Sequence, residues 1–262
     1  MKRMKNGLLL FLGLVVIVVM SGCSVQKEGD LLSDIKKRGT IRIGTEGTYK
    51  PFSFHDQQTN QLTGFDVDIA REVADRMGVK AEFVEIPWDG MLTSLQTGKI
   101  DMVANQVGIK PERVKKFDFS KPYTVSFARL VVHKNNQEIR TLEDIKGKEA
   151  GQTPTSNFGQ MAQSYGAKIV AYEDMMGAMH DIAAGRIDLS LNDRLAIAEM
   201  LKNSDLPLKV IDIQSDRSES AFPVPKGNPD LVQEINQTLD EMRKDGTLAK
   251  ISQKWFDEDV TQ

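Results

Sequence analysis

The chain is poor in the side chains on which metal, redox and nucleophilic chemistry usually rests: its 262 residues include one cysteine and three histidines. With Cys23 alone, and at the N-terminal end, there is no internal disulfide and no cysteine nucleophile within a folded domain. His55, His133 and His180 are too scattered to predict a metal site, and no GxSxG elbow, HExxH, P-loop or GxGxxG is present. Neither charge dominates, with 34 Lys and Arg against 37 Asp and Glu and a net charge of -3, and no basic patch appears. Nucleic acid is therefore not an expected partner. Long apolar runs are confined to Leu8 to Met20, shorter than the about 20 residues a spanning helix needs. No enzyme, cofactor or metal is indicated.

What is present begins at that apolar run. Lys2, Arg3 and Lys5 precede it and Ser21-Gly22-Cys23 follows, the pattern of a secretory signal with a small-residue exit. The arrangement resembles the lipobox of bacterial lipoproteins, which implies that Cys23 becomes an acylated first residue carrying a palmitate-type anchor. Met20 departs from the leucine usual there. Residues 1–22 are expected to be the signal and 23–30 a tether, SVQKEGD reaching at most ~25 Å at ~3.5 Å per residue. The expected location is outside the cytoplasmic membrane, anchored to it.

From Leu31 helical and strand patterns alternate. LLSDIKKRG reads as a helix and TIRIG as a strand. FDVDIAREVADRMG, with Phe65, Ile69, Ala70, Val73, Ala74 and Met77 on one face, reads as a helix, AEFVEI as a strand, WDGMLTSLQTG as a helix started by Asp89, and IDMVAN as a strand. EAGQT, AKIVAY and IDLSLN continue the strands. SNFGQMAQSYG, DMMGAMHDIAAG, NDRLAIAEMLK, PDLVQEINQTLDEMRKDG and TLAKISQKWF continue the helices. Such interleaving predicts an α/β layer structure with mostly parallel strands.

An internal echo divides this series. LQTGKIDMVANQ (95–106) can be laid on IAAGRIDLSLND (182–193): Gly98 meets Gly185, Ile100-Asp101 meets Ile187-Asp188, Asn105 meets Asn192, and Gln106 meets Asp193. It suggests two lobes, each offering polar residues at the carboxyl end of an equivalent strand, where open α/β sheets bind ligands. ARLVVHK (128–134) would carry the chain into the second lobe and SESAFPVPKG (218–227) would bring it back. The expected boundaries are 31–127 plus 221–262 for lobe 1 and 128–220 for lobe 2.

Opposed charges fall at the lobe edges. Arg113, a short turn beyond the strand in VANQVGIKPERVKKFDFS, offers the planar fork that suits a carboxylate, and Asp193 suits an ammonium. Together they match the two poles of a free α-amino acid. The plainer alternative is that Arg113 pairs with Glu112 or Asp118 and that Asp193 only caps the helix after it. Glu46 and Tyr49 in TIRIGTEGTYKPFSF, and Trp88 in IPWDG, could add a polar contact and an aromatic wall.

In sum, IRIGTEGTYKPFSF, LTGFDVDIAREVADRMG, GKIDMVANQVGIKPERVKKFDFSKPY, LEDIKGK and MRKDGTLAKISQKWF, in that order, resemble the family-3 solute-binding proteins of amino-acid ABC importers. The resemblance implies a type II periplasmic-binding-protein fold, α/β and two-lobed, with two hinge crossings and the ligand in the cleft. It implies that Arg113 binds an α-carboxylate, Asp193 an α-ammonium, and Trp88 the ligand side chain. Glu46, Tyr49, Asn105, Gln106 and Gly108 would line the first lobe's side, and Thr153, Ser156 and Asn157 the second's. TPTSN is less glycine-rich than usual, and Asn105 and Gln106 replace the more usual small hydroxyl residues. GTEGTY, WDGM, VANQVG and TSNF together resemble the cystine-binding subgroup. The implied partners are L-cystine, a permease with its ATPase, and the membrane, and a monomer is expected.

Three other readings compete. A basic amino acid would also suit Glu46. A periplasmic dehydratase-like enzyme shares the scaffold, with Glu46 as its one nameable acid. A sensor reporting to a membrane signalling protein would need the same exported unit.

Overall fold

The structure is a computed structural model and describes residues 30–262 except 214 and 216. The signal, Cys23 and nearly all of the tether lie outside the described residues. The chain opens with α1 (Leu31–Arg38), β1 (Thr40–Thr45) and a small antiparallel sheet of β2 (Thr48–Tyr49), β3 (Ser53–His55) and β4 (Leu62–Thr63). There follow α2 (Phe65–Arg76), β5 (Lys80–Glu85), α3 (Trp88–Gln96), β6 (Met102–Val103), α4 (Pro111–Val114), β7 (Phe117–Phe119) and β8 (Thr124–Ser126). The second series holds β9 (Ala128–His133), β10 (Glu149–Gln152), α5 (Asn157–Ser164), β11 (Lys168–Ala171), α6 (Met175–Ala183), β12 (Leu189–Asp193), α7 (Arg194–Lys202) and β13 (Leu208–Ile211). The chain closes with β14 (Ser218–Ser220), β15 (Pro223–Pro225), α8 (Pro229–Lys244) and α9 (Thr247–Phe256).

Two sheets organise two lobes. The first has strand order β5-β1-β6, all parallel, and the second β11-β10-β12-β9-β13. In the second sheet β10, β11, β12 and β13 run in one sense, and β9 alone runs against them, pairing antiparallel with both β12 and β13. The expectation of mostly parallel strands holds for these two sheets, with β9 as the exception. The segment 128–133 does not merely lead into the second lobe but becomes a central strand of it, entering in the opposite sense to its neighbours.

The apolar faces assign the C-terminal helices. Ile41, Ile43, Phe65, Ile69 and Val73 cluster with Leu231, Ile235 and Leu239 of α8 and Leu248 of α9, so these helices complete the first lobe. Leu130, Val132, Ala150, Leu189 and Leu191 form a separate core with Ile145 and Ala162. Between the lobes, β8 and β14 pair antiparallel, Ser126 opposite Ser218 and Thr124 opposite Ser220. These paired strands are the two crossings.

The sequence echo is a structural one. Gly98 and Gly185 both end helices at φ 70, a left-handed value glycine adopts without a Cβ penalty. Asp101 Oδ2 then accepts from Arg42 N, the third residue of the first lobe's β1, and Asp188 Oδ2 accepts from Glu149 N at the start of β10, both at 2.8 Å. Each aspartate thus ties a helix–strand junction to the neighbouring parallel strand.

Candidate functional site

The carboxyl ends of β1, β6, β10 and β12 meet across a cleft of about 710 Å³, part of it open to solvent. Glu46, Tyr49, Trp88, Asn105 and Gln106 line it from one lobe, and Thr153, Ser156, Asn157 and Asp193 from the other. Gly108 and Arg113, also expected at the site, are not among the lining residues. They sit just behind the wall: the Gly108 carbonyl accepts from Arg113 Nη1 at 3.1 Å, and the guanidinium carbon lies 5.2 Å from the centroid of the Trp88 ring.

Arg113 is the most unusual group here. It is 5% exposed, and its Nη2 is buried without a hydrogen-bond partner. Burial lowers its pKa from the usual guanidinium value. No carboxylate pairs with it among the described residues. Asp118, the neighbour it could have used, binds Lys226 at 2.7 Å instead. A buried cation with an unmet donor is costly, and it marks a place where an anion belongs.

Asp193, 6% exposed, is its counterpart on the other lobe. Oδ1 accepts from Leu195 N at 2.8 Å and from Ser126 Oγ at 2.9 Å, so the carboxylate does cap α7 as the plainer reading had it. Yet no cation pairs with it among the described residues, and burial lifts its pKa to about 6 against the opposing Ser126 bond. A cap needs neither this depth nor this position in the cleft wall.

Glu46 follows β1. Its Oε2 accepts from Asn105 Nδ2 at 2.5 Å while Asn105 Oδ1 accepts from Glu46 N at 2.9 Å, a reciprocal clasp between two strand ends. Burial pushes Glu46 up to about 7, the Asn105 bond opposes this, and Asp174 and Asp89 add to the rise. The Tyr49 hydroxyl crosses the cleft to Asn192 Oδ1 at 2.7 Å. Asp89 does not cap α3, whose N-cap is Pro87. It spends its carboxylate on Thr155 of the opposite lobe, at 2.5 Å from Oγ1.

Several lining residues went unnoticed in the sequence: Gln152, Phe158, Asp174, Met175, Ser190, Asn192, Ser218 and Ser220. Asn192 carried a signal, since the echo laid it on Asn105. Ser218 and Ser220 belong to a crossing strand, and nothing in an alternating pattern of serines says that a cleft lies beside it. Among the described residues there is no cluster of His, Cys, Asp and Glu able to hold a metal, and no helix long and apolar enough to cross a membrane.

Two α/β lobes joined by paired crossings, with unpaired charges of opposite sign on either side of the cleft, define a hinged receptor for a small polar solute. The chain belongs to the bacterial extracellular solute-binding proteins, family 3, whose model matches residues 41–258. It is 42% identical over 269 residues to the L-cystine-binding protein TcyA of Bacillus subtilis, covering 99% of this chain and 100% of that protein. An ancestral arginine-binding protein bound to arginine overlays with a TM-score of 0.78 at 39% identity, over 84% of this chain and 99% of that one. The L-cystine solute receptor of Neisseria gonorrhoeae, in its unliganded open conformation, gives 0.59 at 39% identity, over 89% and 99%.

Proposed function

We propose that this chain is the solute receptor of an ABC importer for amino acids, that its ligand is L-cystine, and that Cys23 anchors it by a lipid to the outer face of the cytoplasmic membrane. Its lobes would be 31–127 with 221–262, and 128–220, and it would act as a monomer handing ligand to a permease. The observation that carries the reading is the pairing of an unmet Arg113 donor on one lobe with an unpaired, buried Asp193 on the other. The α-carboxylate of a free amino acid answers the first and its α-ammonium the second, the charge-assisted bonds being roughly twice as strong as neutral ones. The family model and the similarity to TcyA support the same class.

Cystine carries a second amino-acid end, and Glu46 and Asp174 line the part of the cleft where that distal ammonium would sit. The same acidic lining favours one alternative: three carboxylates, Glu46, Asp174 and Asp193, face the cleft against a single nearby guanidinium, which also suits arginine or lysine. A binding role is preferred over catalysis because Glu46, the one nameable acid, shares the site with a buried Arg113 and Asp193 that together suit a zwitterion.

Calorimetric titration of the purified protein with L-cystine, L-arginine and the other amino acids tests the reading. L-cystine should give the tightest binding, and Glu46→Gln should weaken cystine more than cysteine. Tighter binding of arginine would transfer the site to basic amino acids, and equal losses for cystine and cysteine would remove Glu46 from the distal end.

A further inference from the structure

Gln106 has a backbone that its side chain does not favour. It holds φ 50, a left-handed value that a glutamine adopts only at some cost. Asp66, in the first turn of α2, is what meets it there: Oδ2 accepts from Gln106 N at 2.7 Å and Oδ1 accepts from Gln106 Nε2 at 2.6 Å. Nε2 also donates to Thr124 Oγ1, on the crossing strand β8, at 3.1 Å.

An ionised carboxylate only accepts hydrogen bonds, so Asp66 decides which way the Gln106 amide faces. Nε2 must turn toward Asp66, and Oε1 is left on the opposite side. That oxygen is buried and has no partner among the described residues, and Gln106 lines the cleft while Asp66, fully buried, does not. An unmet acceptor in a binding wall is costly unless a ligand donor answers it.

We propose that Asp66 is a positioning residue for ligand recognition. By accepting from both Gln106 donors that face it, Asp66 presents the Gln106 carbonyl oxygen to the cleft as an acceptor for an ammonium group of the ligand. The nature of that ligand rests on the amino-acid-receptor reading given above.

The test exchanges donors and acceptors without changing shape. In Asp66→Asn the new Nδ2 confronts Gln106 Nε2, so the Gln106 amide must flip and offer the cleft a donor in place of an acceptor. In the double variant Asp66→Asn with Gln106→Glu, the glutamate accepts from Nδ2 and turns its other oxygen to the cleft, and the net charge of the pair is that of the wild type. L-cystine affinity is measured by calorimetry at pH about 7.5, where Asp66, lifted by burial to about 7, is mostly ionised and the ligand's ammonium groups keep their protons. The single variant should bind about tenfold more weakly or worse, and the double variant should return to within about threefold of wild type.

The exchange rate of the Gln106 side-chain amide protons, followed by NMR in the ligand-free protein, reads the clamp without a ligand. Protection in the wild type and its loss in Asp66→Asn are expected. Equal exchange in both overturns the clamp. An Asp66→Asn protein that binds as the wild type does, or a double variant as weak as the single one, overturns the positioning role while leaving the receptor reading standing. Absence of L-cystine binding by the wild type overturns the ligand assignment and, with it, this use of the carbonyl.

Discussion

Arg113 and Asp193 carry different burdens although both are buried and unpaired by protein. The guanidinium remains charged at any working pH, so its unmet Nη2 is a standing penalty that ligand relieves. Arg113→Ala should therefore weaken L-cystine binding by about 2–5 kcal/mol, the usual effect of truncating one partner of a buried charge pair. A loss below tenfold in calorimetry would contradict the role. Asp193 titrates, with a folded value of about 6. Only the ionised form suits an ammonium, so protonating Asp193 should add a fall of about tenfold per unit of pH below that value, on top of the step Glu46 and Asp66 produce near 7. In Asp193→Asn the affinity should be low and that pH step absent. The sign for stability is the reverse. Glu46 and Asp66 at about 7 and Asp193 at about 6 are all raised by burial, so the stability they confer without ligand is greatest below their unfolded values and is lost as pH rises toward 7. At this scale the sequence showed the chemistry of most lining residues but not their depth. Nothing in KPERVKKFDFS says that Arg113 is enclosed while Lys110 and Lys115 remain toward solvent. Asp66 was read only as part of a helix pattern, because its partner Gln106 lies 40 positions away and the two meet only in the fold.

Among elements, the helix stops and caps were the most legible, because they depend on neighbours in sequence. Asp174 accepts from Gly177 N and begins α6 as read, and Ser156 accepts from Gly159 N and begins α5. Strands were less legible. IDMVAN reads as a strand, yet β6 keeps only Met102–Val103. The Asp101 side chain is given to Arg42, Asn105 turns back to Glu46, and Gln106 takes a left-handed backbone, so the polar residues leave the ladder to build the site. The echo also explains two glycines. A Cβ at Gly151 would lie 2.5 Å from Ile187 Cδ1 and 2.8 Å from Ala178 Cβ, and one at Gly44 would lie 2.7 Å from Met91 Sδ. Each glycine lets a helix press onto its strand. Gly151→Ala should cost about 1–3 kcal/mol by overpacking, with a lower urea midpoint. Gly44→Ala should cost less, since it meets the ends of longer side chains that can shift. Equal midpoints for Gly151→Ala and wild type would refute the tight approach.

For the whole molecule, the number of lobes and their order were legible in the sequence, but their separation was not. The lobes here are drawn together. Leu195 and Ala196 of α7 join the first lobe's core, and Tyr49–Asn192 and Asp89–Thr155 bridge the cleft. Two further bridges are ion pairs at the rim, Lys50–Glu199 at 3.0 Å and Arg194–Glu258 at 2.6 Å, each with one exposed and one half-buried partner and worth about 0–1 kcal/mol. Such contacts guide closure without locking it, which leaves the ligand's own charges to hold the lobes together. Two trimmed analogues separate those charges. Cystamine is cystine without its carboxylates, and 3,3′-dithiodipropionic acid is cystine without its ammonium groups. Titrated side by side into the purified protein, cystine should bind and both analogues should bind at least about a hundredfold more weakly, because each leaves one buried protein charge unanswered. If either analogue binds as tightly as cystine, the cleft is not a clasp for a zwitterion.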